Sequence, residues 1–431
     1  MLINLLPSTV NHQPAFILRA RVVLPVSRPP IDNGVVCISG NRITGVGRWG
    51  KGSPPAGAQV VNLGEMILLP GLVNAHCHLD YTDMAGQFAP TKNFPDWVKL
   101  ITTSKGGWSY TDYAESWLRG AQMLLRSGTT TVADIEAVPE LLPDVWNATP
   151  LRVFSFLEMT GIKNRRQPDA IVQESVDKIA SLPATRGRTG LSPHAPYSTV
   201  PELLRLSAET ARGRNWRLTT HVAESAQEFE MFTSGRGEMF DWLRHNQRDM
   251  SDCGRGSPVQ HLGRNGLLAE NLLAVHANYL GRDDASLLGK QNVSVVHCPR
   301  SHDFFEHQPF PRQELSAAGV NLCLGTDSLA TVRNKRDQPA ELNLFGEMRA
   351  FAANHPAPSP ENILQMATLN GARALGMTKQ IGELSENAFA DLIAIPYEGK
   401  MTDIYETVLH HADHVAATMI DGQWAIAPKL N

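Results

Sequence analysis

Two histidines spaced two residues apart close an apolar run and have the arrangement that begins a metal site. The run Leu68–Ala75 leads directly into His76 and His78. Because successive side chains of a β-strand point to opposite faces, residues two apart share a face. Two imidazoles side by side at a strand end are suitable ligands for a divalent cation. With 15 histidines in 431 residues, one such pair carries little weight alone, so the placement of the later histidines decides its meaning.

Polar residues with metal-binding or acid–base chemistry also close the later predicted strands. These residues are His194, His221, His276, His297 and Asp327. Taken singly, a histidine at a strand end is more often structural, and an aspartate there is usually a helix cap or turn residue. Several polar groups at one place would be costly to bury without a shared role, so the joint pattern predicts a catalytic site.

The other histidines fit this strand-end pattern less well. His297 is not required by it and is interpreted either as structural or as a support for a site residue, whereas His302 and His307 follow the seventh strand and are within reach of the site. The remaining histidines lie away from strand ends and are predicted to be on the surface: His12, His245, His261, His355, His410, His411 and His414.

An alternation of strands and helices in the middle of the chain would position these residues. Eight candidate strands fall within roughly 260 residues, close to the size of a (β/α)8 barrel, in which the carboxyl ends of all strands meet at one mouth. The predicted strands are Leu68–His76, Thr129–Ile135, Arg152–Glu158, Thr189–His194, Arg217–His221, Leu272–His276, Val293–His297 and Val320–Asp327. The sequence therefore predicts an α/β fold built on a TIM-like barrel.

Helix start and stop signals support this alternation. Helices are predicted from the Ser109 cap to Gly128, from Pro201 to near Gly213, and from Glu361 to Leu375. Two connections are long, and loops of such length in a compact domain usually carry function. They span Leu79–Ser109 and Ser225–Asn271.

Both ends of the chain are rich in short strands and turns. Asp421-Gly422 between two apolar runs is a strong signal for a hairpin turn. We therefore predict a small β-sandwich domain formed by residues 1–64 and 376–431, with the barrel over residues 65–375.

The composition limits the classes of partner and the cellular compartment that we expect for this protein. The net charge is −4 and no basic stripe is present, so we expect no nucleic-acid partner. No stretch approaches the ~20 apolar residues of a membrane span, and Met1–Pro25 lacks a signal-peptide pattern. The cysteines are odd in number and widely spaced, without Cys-x-x-Cys, which indicates reduced thiols in a cytoplasmic protein: Cys37, Cys77, Cys253, Cys298 and Cys323.

Five motifs, taken together, resemble the amidohydrolase superfamily, in particular its cytosine-deaminase and chlorohydrolase-like branch. The resemblance spans residues 60–400 and implies a barrel with a β-sandwich built from both termini. The motifs are Pro-Gly-Leu-Val-Asn-Ala-His-x-His, Ser-Pro-His-Ala-Pro-Tyr, His-Val-Ala-Glu, Leu-Gly-Thr-Asp-Ser and Ala-Thr-Leu-Asn-Gly-Ala-Arg-Ala-Leu-Gly.

The resemblance implies one divalent metal ion per chain, usually zinc, with iron and manganese as alternatives because imidazole and carboxylate ligands do not choose among them. Such a metal lowers the pKa of a bound water toward ~7. The implied ligands are His76, His78, His221 and Asp327.

The resemblance also implies acid–base roles for three side chains. Glu224 moves a proton to a ring nitrogen, Asp327 takes the proton of the attacking water, and His276 polarises the developing tetrahedral centre. No lysine stands at a strand end, where binuclear relatives carry a bridging carbamylated lysine. The third and fourth strands end at Glu158 and His194, so a mononuclear site and ring deamination are favoured over hydantoin or phosphoester hydrolysis.

The leading expectation for the substrate is a purine or adenosine derivative that loses ammonia. The segment around His194 resembles that of methylthioadenosine and S-adenosylhomocysteine deaminases, and aminodeoxyfutalosine, guanine, pterin and cytosine substrates stay open. His194, Trp97 and Arg300 are the predicted substrate contacts, Trp97 by stacking on a flat ring and Arg300 by meeting an anionic or carbonyl group. Many relatives carry Asn at the position of His302, which leaves the substrate open.

Two alternatives accompany this expectation. One is the displacement of chloride or an alkylamine from a triazine-like ring by the same type of attack. The other is a non-catalytic scaffold on the same fold, which the retention of Glu224, His276 and Asp327 argues against. By resemblance, a homodimer or larger homo-oligomer is expected.

Overall fold

The computed structural model describes residues 16–50, 58–91, 93–162, 166–333 and 339–429. The expectation for Met1–Pro25 rests mostly on residues outside these ranges, and His12 lies outside them as well.

Strands from both ends of the chain form one mixed sheet. Its N-terminal strands are β1 (Phe16–Val23), β2 (Ile31–Ser39), β3 (Arg42–Arg48), β4 (Gln59–Asn62) and β5 (Met66–Pro70). The following eight strands form the second sheet: β6 (Leu72–Cys77), β7 (Thr129–Glu136), β8 (Arg152–Met159), β9 (Arg188–Pro193), β10 (Leu218–Val222), β11 (Leu272–His276), β12 (Ser294–His297) and β13 (Asn321–Leu324). The C-terminal strands return to the first sheet: β14 (Leu392–Pro396), β15 (Ala417–Ile420) and β16 (Gln423–Ile426). The strand order of the first sheet is β16-β15-β14-β5-β1-β2-β3, with β4 paired to β1.

The second sheet is the predicted barrel. Its eight strands are paired in parallel in chain order from β6 to β13. The ends of the sheet meet through a parallel bridge between Cys77 and Asp327, and the amide of Thr326 donates to the carbonyl of His76 at 3.0 Å. The prediction of a (β/α)8 barrel with a β-structure from both termini is confirmed.

Helices cover the outside and the mouth of the barrel. They are α1 (Phe94–Lys105), α2 (Tyr110–Arg126), α3 (Leu142–Asn147), α4 (Pro168–Ser181), α5 (Pro201–Arg214), α6 (Ala226–Ser234), α7 (Glu238–His245), α8 (Pro258–Arg264), α9 (Asp284–Lys290), α10 (Pro299–Phe304), α11 (Arg312–Ala317), α12 (Leu344–Asn354), α13 (Pro360–Met366), α14 (Leu369–Ala374) and α15 (Ile404–His410). Short 3-10 turns occupy Leu79–Met84, Pro139–Leu141, Pro196–Ser198, Leu329–Thr331 and Met401–Asp403. Within the described ranges, none of the helices is long and apolar enough to cross a membrane.

Two local signals of the sequence are confirmed in detail. Ser109 caps α2 through a reciprocal capping box with Asp112, which satisfies amides that the first turn leaves unpaired. Asp421 and Gly422 both have positive φ, 50° and 73°, as the two central residues of a type I′ hairpin require.

Two predicted elements are each divided in two. The predicted strand Leu68–His76 changes sheets at Gly71, where a Cβ would lie 2.0 Å from Oγ1 of Thr130. β5 therefore belongs to the terminal sheet and only β6 to the barrel. The predicted helix Glu361–Leu375 is interrupted between α13 and α14, because the carbonyl of Ala367 accepts the amide of Val73 at 2.8 Å.

The two long connections fold into helices over the barrel mouth. The segment after β6 contains α1, and the segment after β10 contains α6, α7 and α8. Nδ2 of Asn93, which caps α1, donates to Oε2 of Glu238 at the start of α7 at 2.8 Å. We refer to α1 and α7 as the roof.

Candidate active site

Three histidines from two strand ends converge at the barrel mouth. His76 and His78 stand on and just after β6, and His221 stands on β10. One ring nitrogen of each lies within 4.8 Å of those of the other two, and Nε2 of His78 is 3.3 Å from Nε2 of His221. All three side chains are buried.

Asp327 faces the same point from beyond β13. Its Oδ1 lies 3.6 Å from Nε2 of His76 and 3.7 Å from Nε2 of His78. Its Oδ2 accepts a hydrogen bond from the hydroxyl of Ser301 at 2.6 Å. Asp327 has a φ of 52°, a strained conformation that the surrounding barrel closure holds in place.

The four side chains, His76, His78, His221 and Asp327, form what we call the ligand set. Within the described residues, both ring nitrogens of His76 are buried without a hydrogen-bond partner, although such groups normally have one. Burial lowers the pKa of His78 and of His221 well below the usual value, which favours the neutral imidazoles that bind metal ions. Three imidazoles and a carboxylate therefore fit a divalent metal ion.

Glu224 and His276 lie beside the ligand set. Oε1 of Glu224 is 3.5 Å from Nε2 of His276, and the His276 ring packs on that of His221 with centroids 5.5 Å apart. The main chain turns sharply here, with φ of 73° at His276 and 51° at Ala223. Burial, followed by the charges of Asp327 and Glu228, raises the pKa of Glu224 well above its usual value. A carboxyl group with such a pKa can hold a proton near neutral pH and donate it.

The loop that carries Glu224 is fixed by hydrogen bonds to its main chain. The buried carboxylate of Glu228 accepts the amides of Ala223 at 3.1 Å and Glu224 at 2.9 Å. Nδ2 of Asn278 donates to the carbonyl of Glu224 at 3.0 Å. Glu228 and Asn278 were not predicted from the sequence, because their contribution is to main-chain groups of another element.

A cavity of about 370 Å3 opens above the ligand set, beneath the roof. The predicted substrate contacts His194 and Trp97 both line it. Nδ1 of His194 is hydrogen-bonded to the hydroxyl of Ser198 at 2.6 Å, and burial, assisted by the charge of Lys105, lowers the pKa of His194 to about 4. The apolar wall of the cavity consists of Phe94, Trp97, Val98, Ile101, Ile162, Tyr197 and Trp242.

The structure places Arg300, the third predicted substrate contact, outside this cavity. Arg300 is the second residue of α10 and its side chain points toward α12. Nε ion-pairs with Glu347 at 2.5 Å and Nη1 donates to the carbonyl of Glu341 at 3.0 Å. The guanidinium is thus engaged by protein acceptors away from the ligand set, and the prediction for Arg300 is corrected.

The other histidines after β11 lie behind the cavity and do not line it. His297 is buried, with its ring centroid 3.8 Å from that of Phe310. Nδ1 of His302 lies 3.1 Å from Oδ1 of Asn278, the residue that holds the Glu224 loop. His261, predicted at the surface, is buried with Nε2 3.6 Å from Asp252.

The polar side chains of the cavity that were not assigned a role from the sequence include Tyr81, Lys105 and Glu158. Glu158 stands near the end of β8 and obeys the strand-end rule that identified the histidines, so the signal was available. Tyr81 and Lys105 lie in the long connection after β6, where no local pattern indicates which side chains face the barrel.

Comparisons with known proteins agree with this arrangement. A model of the amidohydrolase family matches residues 67–425. The chain is 32% identical over 386 residues to a 5-methylthioadenosine/S-adenosylhomocysteine deaminase of Moorella thermoacetica, with 86% of this chain and 83% of the relative covered. It is 29% identical over 343 residues to a 5'-deoxyadenosine deaminase of Methanoregula boonei, with 78% and 72% covered.

Solved structures share the fold at lower identity. An aminofutalosine deaminase of Helicobacter pylori, in complex with methylthio-coformycin, has a TM-score of 0.83 at 21% identity, with 95% of this chain and 100% of that chain covered. An adenosine deaminase of Xanthomonas campestris with bound zinc has a TM-score of 0.79 at 22% identity, with 95% and 92% covered.

Proposed function

The chain belongs to the amidohydrolase family, and we propose that it is a metal-dependent hydrolytic deaminase of a purine nucleoside of the adenosine type. The reaction would exchange the amino group of a ring carbon for oxygen from water and release ammonia. The observation that carries the proposal is the convergence of the ligand set with Glu224 and His276 in one cavity. We propose zinc as the metal ion, held by His76, His78, His221 and Asp327. When bound, such an ion acidifies a water molecule and so supplies a strong oxygen nucleophile near neutral pH.

The protein's own groups account for the proton transfers. Asp327 would take a proton from the attacking water, since its Oδ1 faces the centre while Ser301 holds Oδ2. Glu224, kept protonated by burial, would protonate the ring nitrogen next to the carbon under attack. His276, 3.5 Å from Glu224, would donate to the oxygen that adds to that carbon. The proton on Asp327 then passes to the leaving amino group, and Glu224 regains a proton from the new hydroxyl group.

Two features support an adenosine-type substrate. The relatives at 29–32% identity that cover most of this chain bear the names of adenosine-type deaminases. The wall of the cavity opposite the ligand set is aromatic and apolar, and Trp97 and Trp242 can pack against a flat ring. A pocket with a few polar groups at one end and apolar walls is typical of small-molecule sites.

The test is an ammonia-release screen on zinc-reconstituted protein with its metal content measured. The panel contains adenosine, 5'-deoxyadenosine, 5-methylthioadenosine and S-adenosylhomocysteine, with guanine, a pterin, cytosine and an aminotriazine as competitors. We expect kcat/KM above ~10⁴ M⁻¹s⁻¹ for at least one adenosine derivative and far lower values for the competitors. Silence on every adenosine derivative, from protein with about one metal ion per chain, would refute the proposal.

A further inference from the structure

Glu158 is a mostly buried acid that the proposed reaction does not use. It lies on β8 and its side chain is 17% exposed. Oε1 is 3.5 Å from Nε2 of His194, and no hydrogen bond reaches the carboxylate from the described residues. Removing a carboxylate from water is costly unless donors replace the lost water. Because Glu158 lines the cavity, the missing donors can come from a bound ligand.

Its position relative to the ligand set indicates which part of a ligand it meets. The ring of His221 packs against that of His194 with centroids 4.8 Å apart and against that of His276 at 5.5 Å. The pair His194 and Glu158 and the pair His276 and Glu224 therefore flank the same metal-binding histidine. When the reacting ring atoms face Glu224, the remainder of the substrate can extend past His194 to Glu158.

Lys105 supplies a positive charge to the same part of the cavity. It is the last residue of α1, and its ammonium group donates to the hydroxyl of Tyr81 and lies 4.3 Å from the Tyr81 ring centroid. The Tyr81 ring is in turn stacked on His78, with centroids 5.2 Å apart. An ammonium group has three N–H donors, so Lys105 keeps donors for a ligand.

The combination of a carboxylate and an ammonium group fits a ligand that both donates and accepts hydrogen bonds. An anionic group would be repelled by Glu158, and a hydrocarbon would leave both charges without partners. A pair of neighbouring hydroxyl groups satisfies both, because each hydroxyl donates one hydrogen bond and accepts others. Resting on the proposed function, we propose that Glu158 and Lys105 form a subsite for the vicinal hydroxyl groups of the substrate's sugar, with Glu158 accepting their hydrogen bonds and Lys105 donating to their oxygens.

The test compares adenosine with 2',3'-dideoxyadenosine, which lacks both hydroxyl groups. The proteins are the zinc-loaded wild type, Glu158→Gln, Lys105→Met and the control Glu174→Gln, which makes the same change on an exposed side chain of α4. We expect the wild type and the control to prefer adenosine in kcat/KM by about 100-fold, because a site built to hydrogen-bond hydroxyl groups rejects an analogue that lacks them. Glu158→Gln should reduce that preference to below about 10-fold, and Lys105→Met should reduce it in part.

Equilibrium binding separates this inference from the proposed function. Calorimetric titration with inosine and 2',3'-dideoxyinosine needs no turnover. The wild type and Glu174→Gln should bind inosine more tightly, Lys105→Met should show a smaller preference, and Glu158→Gln the smallest. Loss of the binding preference in Glu158→Gln supports the subsite even when no protein releases ammonia. A wild type that does not distinguish the members of each pair, or a Glu158→Gln protein that keeps the full preference, overturns the subsite while ammonia release leaves the proposed function standing. Absence of binding by both inosine derivatives, together with no ammonia release from either adenosine derivative, overturns both.

Discussion

Replacing Glu224 with glutamine should remove turnover while leaving the metal site and the fold intact. The change keeps the size of the side chain and removes its ionisable proton. General acid–base groups contribute about 10²–10⁴ in rate, or about 3–5 kcal/mol of transition-state stabilisation. We therefore expect kcat for ammonia release to fall by at least ~100-fold.

The structure explains why Glu224→Gln should lose turnover but keep its loop structure and its metal content. The loop is held through main-chain groups of Ala223 and Glu224, by Glu228 and Asn278, and these bonds do not involve the exchanged side chain. Glu224 is also absent from the histidine group that fits a metal ion, so the metal content should stay the same.

Stability should move in the opposite direction from activity. Because burial raises the pKa of Glu224 in the folded protein, the folded state holds its proton over a pH range in which the unfolded chain has lost it. The contribution of Glu224 to stability is then fully present below its unfolded pKa and is lost as the pH rises toward the folded value. Glu224→Gln has no such pH-dependent loss of stability. The unfolding temperature of the variant, relative to that of the wild type, should therefore be higher at pH 7 than at pH 5, and at pH 7 it should equal or exceed the wild-type value.

Three measurements together decide this prediction: ammonia release, metal content by mass spectrometry and thermal unfolding at pH 5 and pH 7. The exposed exchange Glu174→Gln serves as the control. Turnover of Glu224→Gln within about threefold of the wild type would refute the acid–base role. A parallel loss of metal would instead make Glu224 a metal-binding residue and leave its role in proton transfer without support.

Three further changes test the ligand set, the Glu224 loop and the junction with the terminal sheet. Asp327→Asn should weaken metal binding by at least ~10-fold, measured by competition with a chelator, because an amide oxygen replaces the carboxylate of the ligand set. Burial raises the pKa of Glu228 from 4.5 to about 7, so its contribution to stability is lost as the pH rises through that window. Between pH 5 and pH 7 the wild type should therefore lose about 2 kcal/mol of unfolding free energy that Glu228→Gln does not lose, as measured by denaturant titration at both pH values. An equal change in the two proteins would contradict this prediction. Arg152→Met leaves the buried carboxylate of Asp391, now 2.9 Å from Nε of Arg152, without its partner and should lower stability to urea by about 3–5 kcal/mol, whereas a change below about 1 kcal/mol would contradict that estimate.

The convergence of the candidate site residues could be predicted because it depends on local features of the chain. Alternation along a strand brings His76 and His78 to one face, and a parallel barrel brings His221, His276 and Asp327 to the same mouth. Errors of a few residues at strand ends did not matter. β13 ends at Leu324, three residues before the predicted end, yet the barrel closure still carries Asp327 to the site.

The features that the sequence did not predict depend on packing between elements that are distant in sequence. Arg300 follows a strand end, as the residues of the ligand set do, but α10 begins at Pro299 and directs its second residue to Glu347. The interruption between α13 and α14 arises from a hydrogen bond to Val73, far away in sequence. Neither outcome has a periodicity or a turn signal that could reveal it.

The strand ends and the roof helices form two parts of the site that can vary separately. The ligand set and the acid–base groups occupy strand ends and the turns directly after them, where the ladder and the barrel closure fix the main chain. Lys105 and Trp97 come from α1, which touches the barrel through side chains and is joined to α7 at its cap. Changes on the roof should therefore alter KM and the choice among substrates, whereas changes at the strand ends should alter kcat or metal content. A helix at this position can therefore adapt the site to a new substrate without rebuilding the strand ends that carry the ligand set.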